Sequence, residues 1–327
     1  MHPLPSRDLQ HILDTAQGDL NALDGARVFM TGGTGFLGRW LVESWALARR
    51  GRLRGDLVVL TRDPARWRAA FPPCPGLVFT GGDQADFPFP EGAFDAVIHG
   101  AFQHGTPAVT FQANLLGCRR VLEFSRRAGA ARCLLLSSGA AFDPGEEPPA
   151  DQAYGAAKGA SEALGAAFQA EGGPVFVSAR GFAFVGPGLP LDLNFAIGNF
   201  IRDALGGGPI RVQGDGTPLR SYLYAADAAA WHWALLARGA GGLPYDVGSS
   251  QAVSILDLAE RVRDLLAPGA AVEVAGRPEP GRRPGRYLPD TSRAERELGL
   301  REWIGLEEGI RRTAAWYGQR DGDLPLP

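Results

Sequence analysis

Cysteine is scarce in this chain, with three among 327 residues: Cys74, Cys118 and Cys133. So small and odd a number, without metal-like spacing, excludes a disulfide framework and gives no metal site. Cys133 enters an apolar run and Cys118 a helical stretch, so both are expected as core thiols. No apolar run is long enough to span a bilayer, and the N-terminus shows no secretory pattern, so a cytoplasmic protein is expected. A charge excess is missing too: 33 basic and 36 acidic residues leave −3. That balance gives no footing for nucleic acid or a membrane surface as partner. Internal repeats and low-complexity linkers are absent. Glycine, by contrast, is abundant at 45 residues, so a glycine pattern here means little without its context.

Apolar runs alternate with helical patterns through the first two-thirds. Arg27–Met30, Leu57–Leu60, Leu77–Phe79, Ala96–Ile98, Leu134–Leu136 and Val175–Val177 read as buried parallel strands. With helices between them they predict an α/β fold, a Rossmann-type doubly wound parallel sheet over residues 26–185. Leu9, Ile12, Leu13, Ala16, Leu20 and Leu23 recur at helical spacing, so residues 1–25 are expected as a helical extension packed on that sheet. Residues 186–327 change in composition and are expected mainly as a smaller mixed α/β substrate lobe. Segments near 221–250 are expected to return to the sheet.

Gly32, Gly35 and Gly38 follow the first strand directly and open a helix near Phe36 and Leu37. That context turns a weak pattern into a dinucleotide site: glycines allow a tight turn and bring backbone N–H groups to a pyrophosphate at a helix N-terminus. The second strand ends Thr61-Arg62-Asp63. Arg62 can pair with a 2′-phosphate; in the alternative it is a solvated arginine and Asp63 turns to the ribose. NADP is slightly favoured over NAD. Asp83 is placed to accept from an adenine amino group, and Ala101 for backbone contact with the cofactor. His99 reads as a packed strand-end histidine.

Downstream stands Tyr154-Gly-Ala-Ala-Lys158. Residues four apart on a helix share a face, about 6 Å apart along the axis. A free tyrosine titrates near pH ~10; a neighbouring ammonium and the positive ring of an oxidised nicotinamide are expected to pull that down. Ser138, at a strand end, can hydrogen-bond the substrate oxygen. Together these suggest proton transfer coupled to hydride transfer at a carbinol carbon. The plainer alternative for this helix is close packing by its many small residues, and the two readings are compatible.

On these residues the chain resembles the extended short-chain dehydrogenase/reductase superfamily, specifically the NAD-dependent epimerase/dehydratase family acting on nucleotide sugars. The resemblance runs from about Ala26 to Trp316: the loop Thr31–Gly38, Ser138, the Tyr154/Lys158 pair and Arg180–Gly188 all match. Gly214-Asp215-Gly216 followed by Arg220–Asp227 is similar to the family's substrate-lobe signature, and Arg286–Asp290 to a second substrate-side stretch. The resemblance implies that Arg220 and Arg286 bind the diphosphate of a nucleotide-diphosphate sugar, with Asn194 or Asn199 reaching the same group. It implies a homodimer, and a role for Lys158 on the nicotinamide ribose.

Family dehydratases carry an Asp-Glu pair directly after the catalytic hydroxyl residue. Here those positions are Gly139 and Ala140, so a 4,6-dehydratase is disfavoured. The stretch from Phe142 to Tyr154 is shorter than usual, with Glu146 and Glu147 expected near the pocket rim. The leading expectation is an enzyme, a nucleotide-sugar epimerase working by transient oxidation at C4 with a bound nicotinamide. The alternatives are an NADPH-dependent reductase of a 4-keto-6-deoxy nucleotide sugar, with Tyr154 as the acid, and a non-catalytic protein that binds nucleotide sugar or NADP(H).

Overall fold

The computed structural model describes residues 2–51, 53–141, 149–281 and 283–321. Two helices, α1 (Ser6–Thr15) and α2 (Gln17–Ala22), precede the sheet. Then follow β1 (Arg27–Thr31), α3 (Phe36–Arg50), β2 (Asp56–Thr61), α4 (Pro64–Ala70), β3 (Leu77–Gly81), β4 (Ala96–His99) and α5 (Pro107–Arg127). The chain continues with β5 (Arg132–Ser138), a short 3₁₀ turn over Gly139–Ala141, α6 (Pro149–Ala170) and β6 (Val175–Gly181). The rest mixes short strands with helices: β7 (Phe184–Val185), α7 (Ala196–Leu205), β8 (Ile210–Val212), β9 (Leu219–Arg220), β10 (Leu223–Tyr224) and α8 (Ala225–Arg238). After these come β11 (Tyr245–Val247), β12 (Val253–Ser254), α9 (Ile255–Leu266), β13 (Val272–Val274), β14 (Arg286–Tyr287), α10 (Ser292–Leu298) and α11 (Leu306–Asp321).

All six expected strands form, and they join one parallel sheet in the order β11-β6-β5-β4-β1-β2-β3. The near-continuous apolar runs follow from burial on both faces. In β1, Val28 and Met30 enter one core while Phe29 enters the other. Leu57 and Val59 likewise part from Val58 and Leu60 in β2. A period of two in a strand sends neighbours to opposite faces, so a strand covered on both sides needs apolar residues throughout. Cys118 and Cys133 are both buried in the second core, beside Phe29 and Phe124. Burial pushes their thiols up to about 11 and about 12 respectively, which leaves them inert at neutral pH.

The seventh strand comes from the distal third: β11 pairs with β6, Tyr245 against Ala179 and Val247 against Gly181. Helix α8 packs on α3 and on β5 and β6. Helices α1 and α2 lie against α3 and α8, with Leu9, Ile12, Ala16, Leu20 and Leu23 in the core. Polar staples fix them: Tyr224 donates to the buried Asp8 at 2.6 Å, and His11 shares a 2.7 Å hydrogen bond with the buried Asp227. Among the described residues, no helix is long and apolar enough to cross a membrane.

The sheet order reverses beside β1. The chain runs outward to β2 and β3, then returns to place β4 on the other side of β1. The crevice beyond the carboxyl ends of β1 and β4 is where doubly wound sheets hold ligands. The glycine loop leaves β1 there, and β5 ends on the same edge with Ser138.

Candidate active site

At the glycine loop the backbone itself forms the surface. Gly32 takes a positive φ of 76°, a conformation that a side chain disfavours. A Cβ there would collide with the backbone of Gly100 and Ala101, and one at Gly38 would collide with the Gly32 carbonyl. Gly35 differs: a methyl group there would make only an ordinary 3.5 Å contact with Gly32 O. The chain itself does not need that glycine, so the space it leaves is open to something outside the chain. Gly35 is also the N-cap of α3, and no side chain caps that helix. The first N–H groups of α3, at Phe36 and Leu37, thus face the crevice with no side-chain acceptor, as a pyrophosphate cradle requires. These residues fit a dinucleotide.

The neighbouring positions are more committed than the sequence suggested. The Ala101 N–H donates to Thr31 Oγ1 at 3.2 Å, so any contact it makes with a cofactor is through its carbonyl or methyl group. Thr31 Oγ1 also bonds His99 Nδ1 at 2.7 Å. Burial, and then the nearby Lys158 charge, holds His99 down at about 3, so it is a neutral packed histidine. Asp63 caps α4 by accepting from Arg66 N at 3.0 Å; its Oδ1 serves the helix rather than turning to a ribose. Arg62 is exposed and has no ion-pair partner among the described residues. Asp83 Oδ1 accepts from Ala85 N at 3.0 Å, fixing the turn after β3.

At the other end of the crevice side chains make the site. Strand alternation divides the two serines that end β5. Ser137 Oγ donates to Glu162 Oε1 at 2.5 Å, while Ser138 Oγ lies 3.1 Å from Tyr287 Oη. Ser138 also accepts from Ala140 N at 3.2 Å, and its hydroxyl acts to favour the Tyr154 phenolate. Tyr154 and Lys158 share one face of α6, and Glu162 continues that face one turn further on. Glu162 is held by a bidentate pair with Arg180, at 2.6 and 3.0 Å, both side chains mostly buried. This clamp joins α6 to β5 and β6 and so fixes the helix that carries Tyr154.

The protonation states depart from the expectation. Lys158 Nζ does not reach the phenol. It donates to Leu136 O at 2.7 Å and lies 6.0 Å from the centre of the Tyr154 ring. Phe102 stands beside both, 4.9 Å from Nζ and 4.7 Å from the Tyr154 ring centre. Burial pushes Tyr154 up to about 12, with the Ser138 hydrogen bond acting the other way and Tyr287 adding to the rise. Burial likewise brings Lys158 down to about 8. The ammonium therefore does not lower the tyrosine in this arrangement, because it is desolvated and turned toward a carbonyl. As it stands Tyr154 holds its proton at neutral pH.

The substrate-side candidates are separated. Parallel pairing of β14 with β9 sets Tyr287 opposite Arg220, and Arg286 opposite Leu219. The Arg220 guanidinium lies 5.7 Å from the centre of the Tyr287 ring, whereas Arg286 is exposed on the opposite face of its strand. Asn199 accepts from Arg202 Nη1 at 3.1 Å on its own helix, and Asn194 is exposed in the turn before α7. Glu146 and Glu147 lie outside the described residues. Gly139 is closed by packing: a Cβ there would meet the Phe182 ring at 2.6 Å. The small residues of α6 work within the chain, Gly155 against Ala140 and Gly165 against the Phe176 ring.

Sequence reading missed Tyr287, Glu162, Phe102 and Phe182. Glu162 had a signal, its spacing of four from Lys158. Tyr287 adjoins Arg286, but nothing local points it at Ser138, 149 residues away.

A doubly wound sheet, a glycine-lined helix N-terminus at its switch point and a Ser-Tyr-Lys cluster beside it are the arrangement of the short-chain dehydrogenase/reductase class. The profile of the NAD dependent epimerase/dehydratase family matches residues 28–248, and the chain belongs to that family. It is 28% identical over 226 residues to UDP-glucuronic acid decarboxylase 1 of Arabidopsis thaliana, covering 65% of this chain and 51% of that protein. The chain thus spans about half the length of that relative. Among solved structures it is similar to the epimerase Mth375 of Methanothermobacter thermautotrophicus, with a TM-score of 0.77, 24% identity and coverage of 95% and 97%. It is also similar to DesIV, a dTDP-glucose 4,6-dehydratase of Streptomyces venezuelae with NAD bound, with a TM-score of 0.74, 25% identity and coverage of 90% and 98%.

Proposed function

We propose that this protein is a nucleotide-sugar epimerase that works by transient oxidation at C4 of the sugar. The observation that carries the reading is the company Tyr154 and Ser138 keep. Their contacts are Phe102, His104, Ala140 and Tyr287, and none of these described neighbours is a carboxylate. Phe182 closes position 139 to any side chain. With one proton carrier at a carbinol oxygen and, among the described residues, no carboxyl group beside it to eliminate water, the site suits oxidation and return better than dehydration.

A nicotinamide dinucleotide whose pyrophosphate sat on the glycine loop would supply the acceptor and later the donor of the C4 hydride. Tyr154 can accept the C4 hydroxyl proton only as its phenolate, a form that the positive ring of a bound oxidised nicotinamide would favour, and it returns that proton when the ketone is reduced. Ser138 hydrogen-bonds the same oxygen and holds it beside the phenol. Lys158, buried on the same helix face, is the residue we assign to the nicotinamide ribose. Arg220, on the lobe strand that faces the site, is the guanidinium suited to a diphosphate.

A second reading, reduction of a 4-keto sugar nucleotide with NADPH, is favoured by two observations: Tyr154 holds its proton, and Arg62 is exposed at the end of β2. The Arabidopsis relative is a UDP-glucuronic acid decarboxylase, and a nucleotide-linked uronic acid therefore gives a third arm to the test. The purified protein is denatured and the released nucleotide identified by mass spectrometry. It is then incubated with UDP-glucose or UDP-glucuronic acid and the products are read by proton NMR. Retained NAD⁺ with a C4 epimer as product is the expected result. An empty protein that prefers NADPH over NADH would favour the reductase, and loss of carbon dioxide from the uronic acid would overturn the epimerase reading.

A further inference from the structure

The distal lobe delivers a second phenol to the proton-transfer site. Tyr287, on β14, packs its ring 4.8 Å from Phe182, with its Oη 3.1 Å from Ser138 Oγ. Ser138 carries one donor hydrogen and two acceptor lone pairs. Ala140 N fills one lone pair at 3.2 Å. With Tyr287 donating, the other is filled as well, and the Ser138 hydrogen can point only toward Tyr154 and the oxygen beside it. In the reverse arrangement Ser138 donates to Tyr287, whose hydrogen must go to Gly181 O at 3.4 Å. That contact is long for an O–H donor, so the first arrangement is the better bonded.

We propose that Tyr287 is a positioning residue that donates to Ser138 and thereby aims the Ser138 hydroxyl hydrogen at the Tyr154 oxygen and the substrate oxygen. The inference rests on the proton-transfer role proposed for Tyr154. A donor aimed at a phenolate stabilises it, so the relay makes Tyr154 a better base than its burial alone allows. Tyr287 is set in register beside Arg220, so the strand that carries the orienting phenol is paired with the strand that carries the candidate diphosphate ligand.

The groups facing Tyr154 are Lys158 from its own helix, His104 from the loop after β4 and Tyr287 from β14; Arg220 of β9 and Asp246 of β11 face Tyr287. The test is a ¹³Cζ-tyrosine NMR titration of the whole protein, with and without saturating NAD⁺, in which the Tyr154 signal is the one lost in Tyr154→Phe. Tyr287→Phe keeps the ring on Phe182, so the melting temperature should hold while the Tyr154 midpoint, read with NAD⁺ bound so that its positive ring brings it down, rises by about one pH unit, the size of one hydrogen bond to a charged group. In a Ser138→Ala background Tyr287→Phe should add nothing. An unmoved midpoint, or an equal shift in the Ser138→Ala background, would overturn the proposal. Should Tyr287→Phe not fold, the Tyr287 signal in Ser138→Ala must itself move, and its standing still is equally fatal. In turnover, kcat should fall roughly tenfold with KM steady. A wild type that turns over no nucleotide sugar would defeat the proposed function, while the titration would still decide the relay.

Discussion

The two ends of the crevice are made of different material. At the glycine end the surface is backbone: Gly32, Gly35 and Gly38 shape a turn within eight residues, with Gly32 against the main chain of Gly100 and Ala101 and Gly38 against that of Gly32. At the tyrosine end the surface is side chains drawn from distant stretches, Phe102, Ser138, Tyr154, Phe182 and Tyr287, each on a different element or loop. A backbone-made site tolerates changes of neighbouring side chains but no added Cβ at its tightest points. A side-chain site can lose one group and keep its shape. Under the proposed function the first end binds and the second carries the chemistry, and substitutions can separate the two.

Tyr154→Phe should give the largest effect. Removing the proton carrier lowers turnover by about 10²–10⁴-fold, while dinucleotide binding, measured by calorimetry, stays within a few-fold of the wild type. Comparable losses of both would erase the distinction between the ends. Glu162→Ala comes next, since it strands Arg180 without the carboxylate it meets in a largely buried pair. Breaking such a pair costs about 3 kcal/mol, read as a lower urea midpoint with an unchanged slope. Activity should fall further than dinucleotide affinity does, because α6 is the element freed.

Gly32→Ala sharpens the contrast from the other side. A positive-φ position costs about 1–3 kcal/mol when strained, and here the added methyl also meets the Gly100–Ala101 backbone. Dinucleotide binding and melting temperature should drop together, a coupling not expected for Tyr154→Phe.

The effect that is smallest at neutral pH, and grows only on acidification, is a pH dependence at His99, which lies where the two ends meet. Its folded pKa, near 3, is below the ordinary value of 6.5. Between those values the unfolded chain binds the extra proton, so stability is lost as pH falls from about 6.5 toward 3, with a slope of at most ~1.4 kcal/mol per pH unit. Denaturant titrations of wild type and His99→Gln across that range should differ in slope, and equal slopes would show that His99 charges in place.

Much of this was legible in the sequence. The six strands and the two-sided burial follow from apolar runs whose alternate residues divide between two cores. Tyr154, Lys158 and the glycine loop were legible because each is a local pattern. Spacing of four on a helix could have shown Glu162 as well. The proton balance was not legible: the expectation of a tyrosine lowered by its lysine neighbour gave way to one raised by burial, since Lys158 turns to Leu136 O.

The chain's order of residues thus determined the sheet, the turn that can hold a dinucleotide and the pair of groups that can move a proton, because each depends on periodicities of two or about four or on glycine at fixed offsets. Only the tertiary structure decided which side chains from far along the chain stand beside them. Tyr287 meets Ser138 because β14 pairs with β9 in one register. Phe182 seals position 139 because it follows β6, the strand paired with β5. Such contacts, like the desolvation that sets Tyr154 and Lys158, are properties of packing, which no local spacing encodes.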